Sequence, residues 1–328
     1  MKPRRRFLAG ALALAAARLA AQEKKPAAKL YRIGMLESVP IRAASVNLGE
    51  FHRGMTELGH EEGRTYLVLY RSSDGRADRF PSLATELVRQ GVDVFLARGT
   101  PATIAARDTE SGIPVVASAV ADPLEAKLAA SLEKPGGLVT GLTSQANELG
   151  AKRMELLKAL APGAQRLGVL VNPDNPASVA IWKATEAAAP DLKLAVDTID
   201  VRRPEELQAR LEAAAKTGID GVIIGVETLA QGMVSQIVEF TLRQRLPSAY
   251  ASRTFVEAGG LLSYGVNYPN LYYRSAAYVD RILKGAKPGD LPIERPDKFE
   301  LVINRKTARA LKITIPPDLF LRSDEIID

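Results

Sequence analysis

Short apolar runs alternate with longer amphipathic segments along most of the chain. In the first half, runs typical of buried strands occupy residues 31–36, 66–70, 93–97, 114–118 and 138–142. Between them, helical spacing of apolar residues predicts helices over 45–58, 76–90, 102–109 and, more weakly, 124–132. Strands joined by helices at this rhythm predict βαβ units and a parallel sheet covered on both faces.

The same rhythm restarts after Gly150, with no low-complexity spacer before it. Predicted strands occupy 166–171, 194–200, 221–225, 248–251 and 261–265, and predicted helices occupy 151–160, 177–188, 204–216 and 230–245. The tail differs, with a helix over 271–284, a proline-punctuated loop over 285–296, a strand over 299–303 and a short helix over 306–311. We expect this tail to return to the first half, so that the chain crosses between two α/β domains more than once.

The length of 328 residues fits two domains of roughly 150 residues each. Hydrophobic residues make up 46% of the chain and charged residues 25%, as in an ordinary globular protein. The sequence has no cysteine, which excludes disulfides, thiolate nucleophiles, cysteine-ligated metals and a lipid-modified N-terminal cysteine.

The N-terminal segment accounts for most of the positive charge. MKPRRRFLAGALALAAARLAA places basic residues before an apolar run over 7–17 and small residues near Ala21, which is the order of an export signal. That run is too short to span a bilayer, which takes about 20 residues. Arg4-Arg5 followed by Phe7-Leu8 resembles the twin-arginine export motif, and an ordinary secretory signal is the alternative. Cleavage near Ala21 changes the net charge from +6 to +1, which removes the electrostatic argument for nucleic acid or an anionic membrane as partner.

Candidate ligand contacts come from the residues that follow the predicted strands. In open parallel α/β sheets, ligands bind beyond the carboxyl ends of the strands. The candidate ligand-binding residues are Glu37, Ser38, Gly99, Thr100, Ala102, Ala119, Asp122, Asn172, Glu227, Thr228, Arg253 and Tyr264.

The turn Gly99-Thr100-Pro101 joins a predicted strand to a predicted helix. Thr100 is expected as the N-cap, with Pro101 at the first helical position. Free N–H groups and the positive end of the helix dipole favour a small anion there. The glycine pattern of a dinucleotide turn and the Gly-Lys-Ser/Thr of a Walker loop are absent, so we expect a ligand carboxylate or another small anion. The alternative is that Thr100 only caps the helix.

The charged candidates each have a structural alternative. Glu37 and Glu227 are candidates to receive a ligand ammonium or hydroxyl, and a loop charge in solvent is the alternative. Arg253 is a candidate to clamp a carboxylate, and a salt bridge between neighbouring loops is the alternative.

The polar and aromatic candidates are similarly ambiguous. Asn172 lies in Asn-Pro-Asp-Asn-Pro, which is ordinary turn chemistry, and Asp122-Pro123 is also a turn signal. Tyr264 and Tyr268 are candidates to stack on a ligand, and packing at a hinge is the alternative.

Few residues offer catalytic or metal chemistry. His52 and His60, the only histidines, do not have metal-ligand spacing, and we expect them at the solvated surface. Neither lies near a strand end, which disfavours a Ser-His-Asp arrangement. Trp182 lies within a predicted helix and is expected to serve packing. We therefore expect no catalytic residue, no metal and no cofactor.

Several segments resemble the ABC transporter substrate-binding family that includes tryptophan/tyrosine-type binding proteins. They are GTPATIAA, AVADPLEAKLAASLEKPGGLVTGLT, KRMELLKALAPGAQRLGVLVNPDNP, FVEAGGLLSYGVNY, YVDRILKGAKPGDLPIERPDKFELVINRKTARAL and TIPPDLFLRSDEII. The resemblance extends from about Leu30 to the end. One departure is Leu138, where the family usually has Asn in Pro-Gly-Gly-Asn.

The resemblance implies a type I periplasmic-binding-protein fold, in which two Rossmann-like lobes joined by three crossovers hold a ligand between them. It divides the chain into an export signal at 1–21, a first lobe of 30–145 plus 268–298, and a second lobe of 146–267 plus 299–328. Thr100 matches the family's carboxylate-binding turn, and the loops at Glu37-Ser38, Ala119–Asp122, Asn172 and Glu227-Thr228 fall at cleft-facing places. It also implies delivery of the ligand to a permease and ATPase in the inner membrane.

The sequence therefore predicts a monomeric solute-binding protein, exported to the periplasm, for an amino-acid-like or carboxylate-bearing ligand. One alternative is an exported two-lobe enzyme acting on a small polar metabolite. Another is a ligand-sensing lobe for a membrane receptor.

Overall fold

A computed structural model describes residues 29–328, so the expected export signal lies outside the described residues. Its first sheet contains β1 (Tyr31–Glu37), β2 (Tyr66–Ser72), β3 (Val94–Ala97), β4 (Val115–Val120), β5 (Val139–Thr143) and β11 (Ile293–Glu294). The strand order is β11-β5-β4-β3-β1-β2, and every neighbouring pair is parallel. β3 and β4 are buried along their whole length, as expected for central strands of a sheet covered on both faces.

Helices cover both faces of this first sheet. On one face lie α1 (Ser45–Glu57) and, from the tail, α10 (Tyr268–Leu283), which share a core containing Phe51, Met55 and Tyr272. On the other face lie α2 (Phe80–Arg89) and α3 (Gly99–Arg107), whose apolar side chains pack around Phe95. The predicted return of the tail to the first half of the chain therefore holds for residues 268–294. It is wrong for the strand over 299–303 and the helix over 306–311, which pack in the second lobe.

The second sheet contains β6 (Arg166–Val171), β7 (Ala195–Asp200), β8 (Gly221–Ile224), β9 (Ser248–Tyr250), β10 (Leu262–Val266), β12 (Phe299–Asn304) and β13 (Glu325–Ile327). The order is β13-β12-β10-β9-β8-β6-β7, and only the pair β10–β12 is antiparallel. One face carries α4 (Leu149–Leu160), α5 (Pro176–Ala188), α11 (Arg305–Ala310) and α12 (Pro317–Arg322). The other carries α6 (Leu207–Lys216), α7 (Thr228–Gly232), α8 (Val234–Arg243) and α9 (Arg253–Glu257).

The chain passes between the sheets three times. It leaves the first sheet after β5, returns after β10 to form α10 and β11, and leaves again to form β12. This is an α/β architecture of two lobes with parallel-dominated sheets. Among the described residues, no helix is both long and apolar enough to cross a membrane.

Two predicted helices are wrong. Residues 124–132 form turns, in which Asp122 Oδ1 accepts from the amides of Leu124 and Glu125 and Lys127 adopts a φ of +54°. A left-handed residue there prevents a continuous helix. The predicted helix over 230–245 is two helices, α7 and α8, separated at Met233, whose φ of −125° is not helical.

A β-bulge reshapes the carboxyl end of β4. Ala117 pairs with Gly141, but Val120 pairs with Thr143, so β4 holds one more residue than β5 over this stretch. Gly141 has a φ of +121°, and a β-carbon there would lie 2.2 Å from the carbonyl oxygen of Ala117. Only glycine fits this position, and the bulge it permits directs the chain after β4 toward the start of α3.

Candidate functional site

The loops that follow the strand ends of the two sheets meet along one cleft. After β2, Gly75 approaches α7 so closely that a β-carbon at Gly232 would lie 3.3 Å from the Gly75 α-carbon. Arg76 of the same loop pairs with Glu205 of the second lobe at 2.6 Å. The two lobes are thus in contact across the cleft.

A cavity of about 740 Å³ opens into this cleft and is lined by both lobes. The first lobe contributes the β1–α1 loop and Arg98, and the second contributes α7, the start of α8, and the loop between β9 and α9. The crossover into α10 closes one side with Asn267, Tyr268 and Pro269. The volume of this cavity lies in the range typical of sites that bind small molecules.

The N-terminal tip of α3 projects beside this cavity, but its cap differs from the prediction. The helix begins at Gly99, with extended Arg98 in the N-cap position, so Thr100 is not the N-cap. Gly99, the first residue of the helix, has a left-handed φ of +78°, which favours glycine, and a β-carbon there would meet open space. The amides of Gly99 and Thr100 precede the first intrahelical hydrogen bond and are free to bind an anion. Thr100 Oγ1 instead accepts from the amide of Ala121 at 3.2 Å.

Arg98 is a buried cation at the inner end of the cavity. Its side chain is only 9% exposed. One terminal nitrogen lies 3.5 Å from Glu37 Oε2, the other lies 3.4 Å from Gln231 Oε1, and the guanidinium stacks on Tyr268 at 4.4 Å. Burial alone would lower the pKa of Arg98, and the Glu37 carboxylate and Tyr268 more than offset this, so the group stays charged.

Glu37 is fully buried at the end of β1. Its Oε2 accepts from the Ser38 amide at 3.2 Å and from Arg98, whereas its Oε1 has no partner. Burial raises the pKa of Glu37, and Arg98 opposes that rise. The neighbouring Ser73 also has a buried, unpartnered hydroxyl, and its amide donates to the Glu37 carbonyl.

Glu227 is buried in the second lobe, where its carboxylate is fully engaged. Oε1 accepts from Asn172 Nδ2 at 3.2 Å and from the Leu229 amide at 3.3 Å, and Oε2 accepts from Asn175 Nδ2 at 2.8 Å. It thereby forms the N-cap of α7. Burial raises the pKa of Glu227, although its hydrogen bonds oppose the rise. The two buried glutamates therefore differ, because only Glu37 has a free oxygen.

The remaining predicted residues are distributed unevenly. Thr100 and Asp122 line a second cavity of about 160 Å³ together with Pro176 and Ala177 of the second lobe. Asp122 Oδ1 is occupied as the cap of the following turn. Ala102 is buried against α2 in the first-lobe core, and Thr228 is the buried first residue of α7.

Three other predicted ligand contacts make packing or ion-pair contacts within the protein. Ala119 lies within the first-lobe core, and the Tyr264 ring packs on Phe299 at 5.9 Å in the second lobe. Arg253 lines the larger cavity, but Glu257 and Glu325 hold its guanidinium at 2.8 and 2.9 Å. These contacts are the ones that the packing alternative predicts for Tyr264 and the salt-bridge alternative predicts for Arg253. A ligand role for either residue stays a prediction.

Sequence reasoning did not include Arg98, Ser73 or Gln231 as candidates. Arg98 directly follows β3, and Ser73 directly follows β2. The position just after a strand end is the sequence signal that identifies both. Tyr268, weighed with Tyr264, is the tyrosine that lines the cavity.

The histidines lie on the outer side of the first lobe. His52 Nδ1 is 2.7 Å from the Tyr66 hydroxyl, and His60 Nε2 is 2.8 Å from Asp280 Oδ1. His60 is only 13% exposed, so the predicted surface position is wrong for it because the Asp280 carboxylate draws it against α10. Within residues 29–328, no cluster of three potential metal ligands occurs.

Comparison with known proteins agrees with this architecture. Over residues 34–327, the chain matches the profile of the family described as ABC transporter substrate binding protein. It is 26% identical over 278 residues to a tyrosine-binding protein of Clostridioides difficile, an alignment that covers 84% of this chain and 80% of the relative.

Two solved structures share the whole fold. A Streptococcus pneumonia ABC domain in complex with L-Trp has a TM-score of 0.83 and 25% identity, covering 91% of this chain and all of that one. A conserved domain protein from Vibrio cholerae has a TM-score of 0.84 and 26% identity at the same coverage. These likenesses identify a type I periplasmic-binding-protein fold. The chain belongs to the ABC transporter substrate-binding protein family.

Proposed function

We propose that this substrate-binding protein captures a small, amino-acid-like ligand that bears a carboxylate and presents it to an ABC permease and ATPase. The observation that carries the proposal is the meeting of free helix amides, a buried guanidinium and a buried carboxylate with an unpartnered oxygen along one cleft. Amides and guanidinium suit a carboxylate, and the Glu37 oxygen suits an ammonium. The tyrosine-binding and L-Trp-bound relatives support the same ligand class.

The residues of the cleft suit a protein that binds its ligand without catalysing a reaction on it. Its charged residues are paired with one another or with amides, and both histidines lie on the outer side of the first lobe. A cleft residue acting as nucleophile would need an adjacent base, and neither histidine is placed to supply one. We therefore infer that the ligand leaves unchanged and that the protein acts as a monomer in the periplasm after export.

Native mass spectrometry of the freshly purified protein, followed by calorimetry with the common L-amino acids, tests the proposal. We expect a retained or added ligand with one carboxylate and one amino group, and saturable binding of at least one amino acid. Absence of any bound metabolite, together with no heat from any amino acid or other small carboxylate, would contradict it. Mass spectrometry of the ligand after prolonged incubation separates binding from turnover.

Closure of the lobes depends on the contact between Gly75 and Gly232. Replacing Gly232 by leucine places a side chain where a β-carbon already lies 3.3 Å from Gly75, so we expect the lobes to be held apart. Ligand affinity should fall roughly tenfold. Small-angle scattering should show a larger radius of gyration at saturating ligand than for the wild-type protein. Gly163→Leu, where a β-carbon meets nothing within 4 Å, is the control and should behave like the wild type.

A further inference from the structure

Arg98 and Gln231 approach each other from opposite lobes without making a good hydrogen bond. Arg98 follows β3 of the first lobe, and Gln231 lies in α7 of the second. Their separation of 3.4 Å exceeds the usual N–H···O range, and the contact between Arg98 and Glu37 is longer still at 3.5 Å. A guanidinium has five N–H donors, so Arg98 keeps unused capacity although it is more than nine-tenths buried.

Gln231 also has an unused donor. Its Nε2 atom is buried and has no hydrogen-bond partner, while its Oε1 faces Arg98. Both side chains line the larger cavity, and Tyr268 stacks on the guanidinium from the crossover side. Arg98 of the first lobe and Gln231 of the second lobe therefore each have an N–H donor without an acceptor, and both line the larger cavity. A hydrogen-bond acceptor in this cavity would serve both donors.

The charges around this space favour an anionic acceptor. Arg98 occupies the N-cap position of α3, where the positive end of the helix dipole adds to its own charge. Glu37 contacts the guanidinium through one oxygen only, so further N–H donors of Arg98, together with Gln231 Nε2, remain available to the oxygens of a carboxylate.

Building on the proposed function, we propose that the carboxylate of the ligand binds in the larger cavity against Arg98 and Gln231 and accepts hydrogen bonds from the guanidinium and from Gln231 Nε2. The anion thereby joins the lobes, and it binds the closed arrangement more tightly than an open one. Affinity and closure both depend on this group, because a ligand shifts a conformational equilibrium only through contacts that differ between the two states. Glu37 acts as the positioning residue that holds the guanidinium toward the space.

The test compares each L-amino acid with its α-amide, which keeps the shape and the amino group but lacks the negative charge. For the tightest-binding amino acid, the wild-type protein should prefer the acid to the amide by roughly tenfold or more. In Arg98→Gln this preference should fall toward equality, and in Arg98→Lys it should be intermediate. Arg71→Lys alters a partly buried arginine held by Glu86, away from both cavities, and should keep the full preference.

Gln231→Ala should weaken binding of the acid and reduce the compaction seen by small-angle scattering at saturation. Thermal unfolding of each variant shows whether it is folded. If Arg98→Gln does not fold, Arg98→Lys takes its place in the comparison of acid and amide. An unchanged preference for the acid in a folded Arg98 variant, or equal binding of acid and amide by the wild type, would overturn the inference and leave the proposed function standing. If neither acids nor amides bind the wild type, the proposed function fails and this inference fails with it.

Discussion

Gly141→Ala is expected to destabilise the first lobe by about 3–5 kcal/mol. A β-carbon at this position would lie 2.2 Å from the carbonyl oxygen and 2.7 Å from the amide nitrogen of Ala117, and no side-chain rotation relieves a contact between backbone atoms. The φ of +121° adds strain for any L-residue. Scanning calorimetry should record a lower unfolding temperature, by roughly 10 °C, for the transition of this lobe.

The same substitution should also weaken ligand binding, since the bulge in β4 sets the path of the chain from Ala119 to Asp122. Ala121 lies on that path and donates its amide to Thr100 at the start of α3. Gly49→Ala is the matched control: Gly49 lies exposed within α1 with no atom near its absent β-carbon, and alanine should stabilise the helix by about 0.5–1 kcal/mol. Equal unfolding temperatures for the two variants would refute this account of Gly141.

Glu227→Ala is expected to cost about 3 kcal/mol, because it removes the acceptor for two asparagine side chains and for the Leu229 amide in the first turn of α7. Glu227→Gln keeps the shape and most of these contacts and should cost less. Its effect should depend on pH, since burial raises the pKa of Glu227 in the folded protein. Chemical denaturation of both variants and the wild type at several pH values measures this.

The direction of the pH dependence follows from which state holds the proton more tightly. In the unfolded chain Glu227 titrates near 4.5, while in the folded protein it keeps its proton to a higher pH. Between those values, its contribution to the free energy of unfolding falls as pH rises. Glu227→Gln has no such proton, so its stability relative to the wild type should improve with rising pH through this window.

Glu205→Gln provides a control of opposite sign. Hydrogen bonding by its own backbone amide and the nearby Arg76 lower the pKa of Glu205, so its contribution is present above the ordinary value and is lost as pH falls. Removing that carboxylate should therefore cost more at high pH than at low pH. If the stability of Glu227→Gln relative to the wild type falls as pH rises, the hydrogen bonds that lower the pKa of Glu227 outweigh the burial that raises it.

The strands and most helices follow from the sequence because burial on both faces demands continuous apolar runs. The exceptions depend on single backbone angles. Helix α3 starts at Gly99 and not after Thr100, and Gly99 itself has a positive φ that the pattern of apolar residues does not predict. The turn at 124–132 depends on the left-handed Lys127, and lysine gives no sequence signal for that conformation.

The candidate site was predictable as a set of strand ends, but the pairing of side chains across the cleft was not. Glu227 is one of the predicted residues, yet its partners come from a loop some 50 positions earlier and occupy both of its oxygens. Arg98 and Gln231 meet only because two separate lobes approach each other. The Tyr264 ring packs on Phe299 because β10 pairs with β12 from the tail. No local sequence pattern predicts this pairing of strands.

The return of α10 and β11 to the first sheet bears on when this protein acquires its structure. Until residues 268–294 have left the ribosome, the apolar side of α1, including Phe51 and Met55, has no covering helix, and β5 remains an open edge. The second sheet is likewise incomplete until β12 and β13, almost at the end of the chain, take their places. The first lobe therefore cannot be completed before residue 294 is synthesised, and the second cannot be completed before residue 327. A chain interrupted before residue 268 is left with exposed apolar surface in both lobes.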